Sequence, residues 1–124
     1  MTTNETLFFD TYALIEILRG NSNYERYLSC NMALTKLNLF ELYNRVCGEH
    51  GEEIADKEFN KYSKAALDFD NEIIKDAAKL KLMFRKHDLS MADCIGYIKA
   101  RKLGIKFLTG DKQFEFLPEV EFVK

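Results

Sequence analysis

Three short apolar runs punctuate the chain, and each gives way to polar residues. Leu7-Phe8-Phe9 is continuous and stops at Asp10. Met32-Ala33-Leu34 leads into Thr35. Ile105-Lys106-Phe107-Leu108-Thr109 ends at Gly110-Asp111. Short runs of this kind fit buried strands, as in a parallel sheet. Between them the spacing turns helical. Thr11 to Arg19 carries Ala13, Leu14, Ile17 and Leu18 on one stripe, with Gly20 as a stop. Ser22 to Ser29 predicts a short helix. Asn38 to His50 predicts a longer one on Leu39, Leu42, Tyr43, Val46 and Cys47, and Asp56 to Lys64 a charged one holding Phe59 and Tyr62. Leu67-Asp68-Phe69 reads as an edge strand. Asp70 can cap a helix from Asn71 to Lys86, and Ser90 one that runs to about Leu103 before Gly104. Val120 to Val123 alternates as a last edge strand.

This alternation predicts an α/β fold: a mainly parallel central sheet of four to five strands with helices on both faces, in one domain over residues 1–124. The length agrees, since 124 residues suffice for one real core and not for two ordinary domains. No stretch approaches the ~20 apolar residues of a membrane helix. Met1-Thr2-Thr3-Asn4-Glu5 lacks the basic start of a signal peptide. Cys30, Cys47 and Cys94 are odd in number and widely spaced, which argues against a disulfide framework and for a cytoplasmic protein. The formal charge is −2, so a protein that grips nucleic acid by bulk charge is excluded and a local basic patch would be needed.

In an open parallel sheet, sites form beyond the carboxyl ends of the strands. Asp10 and Asp111 each follow a predicted strand and should share that edge. Each also has a structural explanation, Asp10 as a helix cap and Asp111 as a turn residue. Asp93 stands three residues after Ser90, the spacing of a capping box, and a helix N-terminus favours negative charge in any case. Gly96 and Ala100, on the same face, either leave room for an approaching group or allow close helix packing. Glu41 lies off the apolar stripe of its helix and reads on its own as a solvated surface residue.

Other chemistries find no support. His50 and His87 lack partners at zinc-ligand spacing and there is no CxxC pair. No glycine-rich phosphate loop is present. The runs Lys79-Lys81 and Lys99-Arg101-Lys102 read as solvated helix faces.

Four segments taken together resemble the PIN-domain family, and within it the VapC-type toxins of toxin–antitoxin pairs. They are Phe9-Asp10-Thr11-Tyr12-Ala13-Leu14-Ile15-Glu16, Leu39-Phe40-Glu41-Leu42, Leu89-Ser90-Met91-Ala92-Asp93 with Ala100 beyond it, and Leu108-Thr109-Gly110-Asp111-Lys112-Gln113-Phe114. The resemblance covers nearly the whole chain and implies a three-layer α/β/α domain. It implies that Asp10, Glu41, Asp93 and Asp111 hold magnesium or manganese for RNA hydrolysis, with Thr109 as a supporting hydroxyl. Tyr12 and Gly110 occupy places where the family varies. Four neighbouring carboxylates repel unless a cation neutralises them, and hard oxygen donors suit magnesium or manganese. Direct ligation is expected from Asp10 and Asp93, with Glu41 and Asp111 acting through water or on a second ion. Lys36, Arg45, Lys99, Arg101 and Lys112 are candidates for the RNA backbone. The resemblance further implies a homodimer and an antitoxin partner whose basic side chain faces the acids.

Three rivals stand beside this reading. A haloacid-dehalogenase-like phosphatase also opens on an acid after its first strand, but needs a second Asp where Tyr12 stands. A non-catalytic PIN interaction module would have lost acids. A PIN nuclease of RNA processing outside a toxin–antitoxin pair keeps the same site.

Overall fold

The computed structural model describes residues 5–124. The amino-terminal segment read as lacking a signal peptide therefore lies, from Met1 to Asn4, outside the described residues. The strands are β1 (Thr6–Phe9), β2 (Asn31–Thr35), β3 (Ala66–Leu67), β4 (Lys106–Thr109) and β5 (Val120–Phe122), and they form one sheet in the order β3-β2-β1-β4-β5. Every pairing is parallel, so the sheet is wholly parallel and has five strands. The long helices are α1 (Thr11–Leu18), α2 (Lys36–His50), α3 (Glu52–Tyr62), α4 (Asn71–Met83) and α5 (Met91–Leu103). With the sheet they make the three-layer α/β/α fold. Among the described residues no helix is long and apolar enough to cross a membrane.

The continuous apolar runs have the cause expected of them. β1 is the middle strand, flanked by β2 and β4, and Leu7, Phe8 and Phe9 are all buried. Alternate side chains of a strand point to opposite faces, so a strand buried throughout must have both faces covered. The register sets Phe8 beside Phe107, and their rings stack at 5.5 Å. α5 presses directly on this pair: a Cβ on Gly96 would stand 2.7 Å from the Phe8 ring. Gly96 is therefore there for close helix–sheet packing. Ala100, fully buried, belongs to the same contact layer and not to an open approach.

Some boundaries differ from the expected ones. α2 begins at Lys36, two residues early, because Asn38 Oδ1 turns back to accept from the N–H and Oγ1 of Thr35 at 2.9 and 3.1 Å. α3 begins at Glu52 and ends at Tyr62. Gly51, at φ 93°, lets the chain reverse, and Glu52 and Glu53 occupy the first turn, where the helix dipole favours them. The edge strand predicted at Leu67-Asp68-Phe69 shifts to Ala66–Leu67 and leaves Asp68 and Phe69 outside. α4 stops at Met83 instead of Lys86, where Phe84 packs its ring edge-on to Phe116 at 4.9 Å. Lys81 on α4 donates to the carbonyl of Leu89 and so steadies the chain just before α5.

Candidate active site

Asp10, Glu41, Asp93 and Asp111 line one open cleft of about 440 Å³ at the carboxyl edge of the sheet, with Thr11, Tyr12, Phe40, Asn44 and Arg45. Four acids separated by up to 101 residues in sequence thus meet at one place, by the route predicted for two of them. β1 and β4 are adjacent and parallel, so Asp10 and Asp111 emerge on the same side.

Asp10 is almost fully buried, at 2% exposure. It stands at the cap position of α1, but its side chain makes no capping hydrogen bond, so the cap explanation does not account for it. Its Oδ2 accepts from the buried Thr109 hydroxyl at 2.7 Å. Its Oδ1 is buried and has no hydrogen-bond partner. Burial, then the neighbouring charge of Asp93, pushes the Asp10 carboxyl well above the ordinary carboxylate range. Two ionised carboxylates offer only acceptors, so nothing in this pair relieves the charge except a proton or a cation.

Asp93 does what the capping box asks. Its Oδ2 accepts from Ser90 N–H at 3.1 Å, and its own N–H donates to Ser90 Oγ at 3.0 Å. Burial raises its carboxyl, and these Ser90 contacts work against the rise. The structural explanation is thus correct for one oxygen, while the side chain still lines the cleft.

Glu41 corrects the surface reading. It is half-buried on α2, and both oxygens are held: Oε1 accepts from Thr11 Oγ1 at 2.8 Å and Oε2 from Ser90 Oγ at 3.4 Å. Asn38 Nδ2 donates to the same Thr11 hydroxyl at 3.1 Å. A run of hydrogen bonds therefore passes from the end of β2 through Asn38 and Thr11 to Glu41. Burial raises the Glu41 carboxyl, the Thr11 bond opposes this, and Asp93 adds to it. Asp111 bears out its turn reading: its Oδ1 accepts from Gln113 N–H at 3.0 Å, while its N–H donates to Thr109 Oγ1 at 3.1 Å. Thr109 thereby joins the first acid to the last.

Thr11, Asn38 and the hydroxyl of Ser90 as a Glu41 ligand were not picked out from sequence. The spacing of Thr35 and Asn38, three residues apart at a strand end, was the available signal. Tyr12 and Gly110, the two variable places, pack on each other: a Cβ on Gly110 would fall 2.3 Å from the Tyr12 ring and 2.2 Å from the Val123 carbonyl. Of the proposed basic residues, Arg45 lines the cleft and Lys36 an adjoining groove. Arg101 lines a different depression between α4 and α5, and Lys99 and Lys112 are not among the cleft's walls.

The donor set fits a hard divalent cation. A buried carboxylate oxygen without a partner, next to a second raised carboxyl, is unfavourable unless positive charge offsets it. No group of three or more His, Cys, Asp or Glu side chains among the described residues is arranged to hold an ion unaided. Magnesium suits such a set, since it keeps several waters and takes one or two carboxylates.

A sequence model of the PIN domain matches residues 7–119. No curated protein matches the sequence significantly. Among solved structures, the chain is similar to one in a toxin–antitoxin complex from Klebsiella pneumoniae, with a TM-score of 0.70 and 19% identity over 92% of this chain and 94% of that one. It is also similar to a chain of VapBC2 from Rickettsia felis bound to a DNA fragment from their promoter, with a TM-score of 0.71 and 14% identity over 95% and 97%. At these identities the likeness is one of fold.

Proposed function

The chain belongs to the PIN-domain family of nucleases, and from that premise we propose that it is a magnesium- or manganese-dependent endoribonuclease, the toxin of a VapBC-type pair. The observation that carries the reading is the buried, unpartnered Oδ1 of Asp10 beside Asp93 in a cleft walled by four acids. Asp10 and Asp93 would hold the ion directly, and Glu41 and Asp111 would act through its waters or on a second ion. The ion, when bound, supplies positive charge to the attacked phosphate and lowers the pKa of a water at neutral pH.

The chain's own residues do the remainder. Thr109 holds Asp10 through Oδ2 and leaves Oδ1 without a partner. Ser90 fixes Asp93 in the same way. Glu41, set by Thr11 and Ser90, is placed to orient a water or accept its proton, and a raised carboxyl is better suited to proton transfer near neutral pH. Arg45, paired through Nε with Glu49 at 3.0 Å, brings its terminal guanidinium N–H groups to the rim for the RNA backbone.

The two similar structures are a toxin–antitoxin complex and VapBC2. They support an antitoxin partner over a PIN nuclease of RNA maturation. In the proposed reading a basic side chain of that partner neutralises the cleft, and the chain works as a homodimer in the cytoplasm. The test is cleavage of several RNAs by the full chain with magnesium, with manganese and with chelator, in parallel with Asp10→Asn. Metal-dependent cutting that Asp10→Asn abolishes is the expected result. Equal activity of the two proteins, or cutting that survives the chelator, would overturn the mechanism. A small reading frame just upstream, whose product co-purifies with this chain and inhibits it, marks the toxin.

A further inference from the structure

The acid cleft continues past its acids. Phe40 and Asn44 line it and also line a second depression of about 600 Å³, whose other walls include Lys36, Leu39, Tyr43 and Phe59. Phe40 is 70% exposed, the most exposed of the ten phenylalanines. The core does not use it: Leu39 and Leu42, on either side of it along α2, are buried and do the packing. Its position directly before Glu41 would ordinarily carry a polar residue on an amphipathic helix. Lys36, Phe40 and Asn44 follow at intervals of four residues and so lie side by side on α2. Arg45 stands on the cleft side of this ridge and Lys36 on the groove side.

Resting on the nuclease reading, we propose that Phe40 is a stacking platform for an unpaired nucleobase next to the bond that is cut, and that the Asn44 amide hydrogen-bonds that base's edge. Every base has a π face, so an exposed ring takes any of them, whereas an amide carries donors and an acceptor and can discriminate among edges. Lys36 and the terminal N–H groups of Arg45, whose Nε is already held by Glu49 at 3.0 Å, supply positive charge to the phosphates on either side, which a protein of net charge −2 needs locally. Stacking requires a base with a free face, so the substrate class is single-stranded RNA or a loop, not duplex. A protein segment would also value an apolar ring. The ring's place on the wall of the acid cleft, between two cations and beside an amide, favours a nucleic-acid strand that runs from the acids over Phe40.

The experiment reads binding apart from cutting. Asp10→Asn chain, which would leave RNA intact, is titrated in magnesium into short single-stranded RNAs that carry 2-aminopurine, and into the same RNAs as duplexes. Phe40→Leu and Phe40→Tyr are compared in that background. The expected result is quenching of 2-aminopurine that Phe40→Tyr keeps and Phe40→Leu loses, with single-strand affinity about five- to a hundredfold weaker in Phe40→Leu and duplex binding little changed. Thermal melting should not move, since the ring is exposed. Quenching and affinity in Phe40→Leu equal to those of the parent, or a parent that prefers duplex, would overturn the platform. Phe40-dependent quenching by a chain whose wild type cuts no RNA would uphold the platform and count against the nuclease reading alone.

Discussion

The two acids at the floor of the cleft differ from the two at its rim in what satisfies them. Asp10 and Asp93 are buried, and one oxygen of Asp10 has no donor at all. Glu41 and Asp111 are half-exposed and already held by hydroxyls or backbone N–H groups. A buried charge without compensation destabilises the fold that carries it, so its presence points to a ligand. A satisfied carboxylate points to a fixed orientation. The cleft thus divides into an inner pair that is short of positive charge and an outer pair that is positioned.

The sharpest way to break this division is to remove charge from the inner pair. Asp10→Asn and Asp93→Asn should each lower kcat/KM for RNA cleavage by about a thousandfold or more, the scale of several kcal/mol of ion-supplied stabilisation. Asparagine at 93 can still accept from Ser90 N–H, so the loss should come without a large fall in Tm. Glu41→Gln keeps an acceptor for Thr11 and should cost roughly ten- to a hundredfold. If it costs as much as Asp10→Asn in the same assay, the division fails. Asp111→Asn retains the turn made with Gln113 and should cost less than about tenfold, whereas Asp111→Ala should cost more.

The smallest effects concern stability and should have the opposite sign. In the metal-free protein, Asp10→Asn removes an uncompensated buried charge and should raise Tm by about 4 °C, roughly 1 kcal/mol. The pH dependence follows from the raised carboxyl of Asp10. Between the ordinary carboxylate value near 4 and the raised folded value, the native state holds more protons than the unfolded one. The contribution of Asp10 is therefore most favourable below that window and is lost as pH rises through it. Metal-free wild type should gain stability relative to Asp10→Asn as pH falls from 7 toward about 4, by differential scanning calorimetry, and the ion should flatten the difference.

How much of this was legible depended on the distance over which each residue's partners act. β1 was readable because a middle strand buried on both faces leaves an unbroken apolar run, Leu7-Phe8-Phe9. Asp10 and Asp111 were placed by strand ends, and Asp93 by a contact only three residues long. Glu41 looked solvated from its own helix and entered the expected site only through the resemblance, because its partners Thr11 and Ser90 stand 30 and 49 residues away, a separation to which helical periodicity is blind. Helix ends failed for a related reason. The end of α4 depends on Phe84 meeting Phe116, and no local pattern records a ring contact across 32 residues. The start of α3 depends on the conformation of Gly51, which its identity permits without announcing.

The hydrogen bonds between Ser90 and Asp93 carry a consequence for how this position can change over time. One carboxylate closes the first turn of α5 with one oxygen and faces the cleft with its side chain. Asparagine preserves the turn and gives up the charge. Glutamate preserves the charge and can close the same turn, but its added methylene shifts where the carboxylate stands in the cleft. Alanine gives up both. Selection for a folded helix and selection for a working cleft therefore meet at a single side chain.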